Sequence, residues 1–124
     1  MSEGGGVTWV DLTVDDAPGV RDFYEAVAGW TAAPVDMGDY SDFSMLEAGG
    51  GNAVAGICHA RGMNADIAPV WMVYFSVPDL DAALEACRDR GGTVLTPVRS
   101  AGGYRYAMIR DPAGAVCAIG ANAE

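Results

Sequence analysis

The chain contains no lysine. Its seven basic residues are all arginine and stand against seventeen acidic ones, giving a net charge of −10 over 124 residues. A surface that tracks phosphates needs clustered positive charge, and here acidic residues run through the turns and helix starts, so nucleic acid is excluded as a partner. The acidity reads as a solvated surface that favours solubility. No apolar run approaches the ~20 residues of a membrane span, and Met1 to Gly6 carries neither the basic nor the apolar region of a signal peptide, so a cytoplasmic protein with no membrane partner is expected. Histidine occurs once, at His59, which excludes a histidine-rich metal site. The three cysteines, Cys58, Cys87 and Cys117, are odd in number and lack C-x-x-C spacing, so they read as small buried apolar residues in a reducing compartment.

What the chain does have is an internal repeat. Val70 to Val77 is rich in valine and aromatics, as a half-buried strand should be, and Pro78 stops it. Asp79 then offers a helix N-cap, Leu80, Ala83, Leu84 and Cys87 recur on one helical face, and Gly91-Gly92 ends the helix. Shifted back by 63 positions the same grammar returns: Val14 falls on Val77, Asp16 on Asp79, Tyr24 on Cys87 and Gly29 on Gly92. Ala53 to Ile57 likewise matches Ala115 to Ile119 at an offset of 62. Each half therefore closes with a similar strand.

The length suits one compact domain, 1–124, able to bury roughly two-thirds of its unfolded surface. Its first module runs from about 7 to 60, with a frayed Met1–Gly6 before it: strand Val7–Val14, helix Asp16–Ala28 presenting Val20, Phe23, Tyr24 and Val27, strands Trp30–Val35 and Phe43–Ala48, a Gly49-Gly50-Gly51-Asn52 hairpin, and strand Ala53–His59. A linker over 61–69 leads to the second module, about 70–121: strand 70–77, helix 79–90, strand Thr93–Val98, strand Tyr104–Ile109, the Arg110–Gly114 turn and strand Ala115–Gly120.

Asp16, Phe23-Tyr24 and Gly29-Trp30 in the first module, Val77-Pro78-Asp79-Leu80, Ala82 and Gly91-Gly92 in the second, and Asp111-Pro112-Ala113-Gly114 before the last strand together resemble the vicinal oxygen chelate superfamily. That group includes glyoxalase I, bleomycin-resistance proteins and extradiol dioxygenases. The resemblance implies an α+β fold, two βαβββ modules in tandem forming an open, cup-shaped mixed sheet around a ligand cavity, and it suggests a homodimer. Metal-using members hold a divalent ion with four strand residues, usually histidine, glutamate or glutamine. The matching positions here are Trp9, about Gly56, Met72 and about Ala118. None is a hard-metal ligand, so no metal site and no cofactor are expected.

Strand parity applied to the inner strands places Trp9, Asp11, Thr13, Val54, Gly56, Cys58, Met72, Tyr74, Ser76, Val116, Ala118 and Gly120 on the cup face. His59 points the other way. Asp11 and Tyr74 occupy equivalent places in the two modules and form the best polar pair, a carboxylate able to act as a base and a hydroxyl able to donate to an oxyanion. They are the catalytic candidates if there is chemistry, and otherwise they bond each other or a ligand. Trp9, with Trp30, Tyr40, Trp71, Tyr104 and Tyr106 at the rim, suggests a surface for flat organic molecules. By parity, however, Trp71 belongs to the helix side, and Trp9 could simply fill the place of the metal. Three readings stay open: a module that binds a small, partly aromatic or apolar molecule, as drug-sequestering resistance proteins do; a glyoxalase-like lyase, isomerase or dioxygenase, either cofactor-free through Asp11 and Tyr74 or metal-dependent through residues such as Asp11, Glu47 or His59; and a cup filled by its own side chains.

Overall fold

The computed structural model describes residues 4–122. The chain divides into two compact units, Val10–Trp71 and Met1–Trp9 with Met72–Glu124. The first contains β1 (Val7–Val14) from Val10 onward, α1 (Ala17–Val27), β2 (Thr31–Asp36), β3 (Ser41–Leu46) and β4 (Ala53–His59). β1 and β4 pair in parallel, with Asp11 beside Gly56 and Thr13 beside Cys58, and β3 and β2 follow in antiparallel register.

The helix begins where the sequence predicts: the Asp16 carboxylate accepts the Gly19 N–H at 3.0 Å and Pro18 lies in the first turn, where its missing N–H costs nothing. Gly29, at φ +74°, turns the chain after the helix. Ala17, Phe43, Met45 and Ile57 are buried between helix and sheet, with Val14, Val20 and Tyr24 packed around them. Fully burying a side chain of the size of Met45 or Ile57 stabilises by about 1.5–3 kcal/mol. Two helix residues expected inward are not. Phe23 and Val27 are 56% and 66% exposed, because Ala17, Val20 and Tyr24 already fill the stripe that meets the sheet.

Trp30 and Trp71 are also placed differently from the expected rim. Both pack on Tyr24, with ring centroids 5.7 and 5.1 Å away, and the Trp71 indole N–H donates to the Tyr24 hydroxyl at 3.1 Å. They belong to the helix-side core, as the parity of Trp71 indicated.

The second unit contains β5 (Met72–Ser76), α2 (Leu80–Asp89), β6 (Thr93–Val94), β7 (Arg99–Ala101), β8 (Tyr104–Arg110) and β9 (Val116–Asn122). β5 and β9 are parallel, β9 and β8 antiparallel, and both β6 and β7 pair with β8. Leu80, Leu84, Ala107 and Ile119 form its core with Phe75 and Val77. The strand expected over 93–98 is cut to Thr93–Val94, and a separate short strand follows only at Arg99–Ala101. Pro97 has no N–H to give to a ladder, and the Thr96 hydroxyl takes the Met108 N–H at 3.1 Å, so the edge breaks between β6 and β7.

Each unit thus carries a mixed open sheet and one helix in βαβββ-like order, an α+β architecture. The fraying expected over Met1–Gly6 lies outside the described residues for 1–3, and it does not hold for Gly5 and Gly6. The Gly5 N–H donates to the Ser76 carbonyl, and Gly6 accepts the Ser76 N–H at 2.8 Å. Among the described residues no helix is long and apolar enough to cross a membrane.

Candidate functional site

Two sheet faces carry the candidate side chains, and in each unit it is the face opposite the helix. In the first unit Ile57 packs toward α1, so its strand neighbours Gly56 and Cys58 turn to the other side, together with Val54. The register sets Asp11 beside Gly56, Thr13 beside Cys58, and Ser44 of β3 on the other flank of Gly56. Thr13 and Gly56 are buried, Asp11 and Cys58 half-buried, and Val54 exposed.

Beside this row stands Asp42, a buried carboxylate at 6% exposure. Its Oδ1 accepts the His59 backbone N–H at 2.9 Å and lies 3.0 Å from His59 Nδ1. The Cys58 thiol also donates to Asp42. Burial pushes that thiol far up from its ordinary range, and the nearby carboxylates of Asp11 and Asp42 push it further, because each disfavours a thiolate. Cys58 is therefore a protonated donor and not a nucleophile at neutral pH. The His59 ring rests against Tyr40 and Phe43, at centroid distances of 5.0 and 6.3 Å, and Arg61 lies over Tyr40 at 4.0 Å. Tyr40 thus belongs to this cluster.

Asp42 is what residue-by-residue reading missed. Strand β3 begins at Ser41, two residues before the expected start at Phe43, so Asp42 lies in the strand and not in the loop before it. Parity could have found it: with Phe43 toward the helix, Asp42 must point away.

In the second unit, Ala107, Ile119 and Phe75 pack with α2, which puts Met72, Tyr74 and Ser76 of β5, Tyr104, Tyr106 and Met108 of β8, and Ala118 and Gly120 of β9 on the helix-free face. Met72, Tyr74, Ser76 and Ala118 are all buried there. Tyr106 bridges two rings: it meets Tyr74 edge-on at 5.8 Å and stacks with Tyr104 at 6.0 Å and 22°. Trp9 is half-buried at the end of the short β1 segment in this unit, where Thr8 donates to the Tyr74 carbonyl at 3.2 Å. Asp11 falls in the first unit and Tyr74 in the second.

The side chains at the four positions that the resemblance gives to a metal remain indole, hydrogen, thioether and methyl. They do not fit a hard divalent ion. Among the described residues no three His, Cys, Asp or Glu side chains group so as to hold one elsewhere.

Comparison with known proteins bears on the family and the fold. The family profile described as the glyoxalase/bleomycin resistance protein/dioxygenase superfamily matches residues 6–119. CFP32 of Mycobacterium tuberculosis, named provisionally as a glyoxylase, is 31% identical over 120 residues, which are 96% of this chain and 45% of that protein. The anthracycline biosynthesis protein DnrV of Streptomyces peucetius is 34% identical over 111 residues, 90% of this chain and 39% of that protein. The chain therefore spans less than half the length of these curated relatives. Among solved structures, a methylmalonyl-CoA epimerase from Mycobacterium tuberculosis matches with a TM-score of 0.59 and 18% identity, covering 100% of this chain and 92% of that one. That likeness is one of fold.

Proposed function

Because the chain belongs to the glyoxalase/bleomycin resistance protein/dioxygenase superfamily, we propose that it is a binding domain that holds a planar, partly aromatic organic molecule without a metal ion. The observation that carries this reading is the cluster of Tyr74, Tyr106 and Tyr104 on the same helix-free face as Met72, Met108 and Ala118: polarisable and largely apolar, with Tyr104 and Tyr106 stacked and Tyr74 edge-on to Tyr106. The four positions without metal donors support it. So does DnrV, a relative named for anthracycline biosynthesis, since anthracyclines are fused aromatic ring systems.

The test pairs two measurements on the purified protein. A thermal-shift series compares flat polycyclic aromatics with saturated compounds of the same size, and elemental analysis follows incubation with zinc, nickel, manganese, iron and copper. Stabilisation by the aromatics alone, with no stoichiometric metal, is the expected outcome. One tightly held metal per chain would sink the reading.

A second reading, an acid–base enzyme, is favoured by the Asp42–His59 bond. It fixes one imidazole nitrogen and leaves Nε2 for proton transfer. The name given to CFP32 also leans that way. Asp11 and Tyr74 remain the other proton-transfer candidates. An Asp11→Asn or His59→Gln variant that keeps ligand affinity and loses turnover would establish chemistry.

A further inference from the structure

The Tyr104 hydroxyl is buried and has no hydrogen-bond partner among the described residues. Buried polar groups are nearly always paired, because removing a hydroxyl from water without replacing its hydrogen bonds is costly, so each exception calls for a cause. The local structure holds the phenol in this place. Tyr104 opens β8 directly after the Gly102-Gly103 turn, whose glycines both take positive φ. Its ring stacks with Tyr106 on one strand. On the next strand Gly120 lies against it: a Cβ at Gly120 would collide with Oη and Cζ of Tyr104. The bare glycine thus seats the phenol, and Tyr104 as a whole stays half-buried.

We propose that the Tyr104 hydroxyl is the specificity donor of the tyrosine face, and that its missing partner is a carbonyl oxygen of the bound molecule, which makes the ligand class a fused aromatic ketone or quinone. The inference rests on the binding reading given above and narrows it. A flat ring system lying against the Tyr106 ring presents any ring carbonyl at its edge and in its own plane, where a donor prefers to meet it. A phenol can serve because its O–H donates while the ring contributes contact area. A hydrocarbon of the same shape would keep the stacking and leave the hydroxyl unpaired. Discrimination by a buried donor is stronger than discrimination by shape alone.

The test uses two soluble probes of equal charge, anthraquinone-2-sulfonate and anthracene-2-sulfonate, titrated by calorimetry into the wild-type chain and into Tyr104→Phe. The wild type should bind the quinone about tenfold more tightly, and Y104F should lose that factor for the quinone while binding the hydrocarbon unchanged. Without any ligand, Y104F should melt no lower than the wild type, since the substitution removes an unpaired group. A full quinone preference in Y104F would overturn the proposal. So would an unliganded Y104F that melts several degrees lower, which would mean that the hydroxyl already has a partner such as a trapped water. If the wild type binds neither probe, the binding reading itself fails and the inference falls with it. If both proteins bind both probes alike, only the role of the hydroxyl falls.

Discussion

Asp42 shows how much one side chain can hold at the end of a strand. Its carboxylate takes the His59 N–H, lies within bonding distance of the His59 ring and takes the Cys58 thiol, all at a position with almost no solvent. Asp42→Ala would leave a backbone N–H and a thiol unpaired and should cost about 2–4 kcal/mol. Asp42→Asn keeps an accepting oxygen and should cost about half as much, and urea unfolding of both variants checks this. A loss below ~0.5 kcal/mol in the alanine variant would mean that water replaces the carboxylate. Cys58 gives a pH prediction. Its folded pKa is raised, whereas the unfolded thiol ionises near 8.5, so above that pH the folded state binds more protons than the unfolded state. The contribution is fully present below about pH 8.5 and is lost as the pH climbs toward the folded value, with a slope of at most ~1.4 kcal/mol per pH unit. Cys58→Ala should flatten this alkaline limb in unfolding measured from pH 7 to 10. In the native wild type, Cys58 should resist iodoacetamide at pH 8 and react once urea unfolds the chain.

At the scale of elements, the residues whose signal is local were the most legible. Asp16 and Asp79 both read as N-caps, and both accept the N–H three residues on at 3.0 Å. Asp16→Ala and Asp79→Ala should each cost about 1 kcal/mol, while a Ser at either site should retain most of it. Equal stability of the alanine and serine variants in denaturant would show that solvent caps these helices as well as the side chain does. The Asp111 turn was as readable, its carboxylate taking the N–H groups of Ala113 and Ala115 at 2.8 and 3.0 Å while Gly114 turns at φ +92°. Tertiary competition was not readable. Phe23 and Val27 have the hydrophobicity of core residues, but only the packed structure shows that Val20 and Tyr24 occupy the seam first. The same limit applies to Trp30, which any aromatic-rim argument would place near a ligand and which instead stacks on Tyr24. Within the candidate site, strand parity found the row from Met72 to Ser76 and the row from Val54 to Cys58. It stopped where an element boundary was misplaced by two residues, at Asp42.

For the molecule as a whole, the excess of acid is the property with no internal remedy. Seventeen carboxylates face seven guanidinium groups. Several arginines are spent locally: Arg21 pairs with its chain neighbour Asp22 at 2.9 Å while lying over Phe43, Arg61 lies over Tyr40, and Arg105 reaches Asp81 only at 3.4 Å. Exposed pairs of this kind contribute little. The folded chain therefore gathers like charges that the unfolded chain would spread apart, and this repulsion opposes compactness. Salt should relieve it, because the screening length falls from about 30 Å at 0.01 M to about 10 Å at 0.1 M. The Tm should rise by a few degrees when sodium chloride is increased from 10 to 300 mM at pH 7, as read by calorimetry. Chloride separates this effect from the strengthening of apolar burial that sulfate would add. A flat response would mean that the carboxylates sit far enough apart in the folded chain to be screened by water alone. The net charge would then bear on solubility and on the exclusion of anionic partners, not on stability.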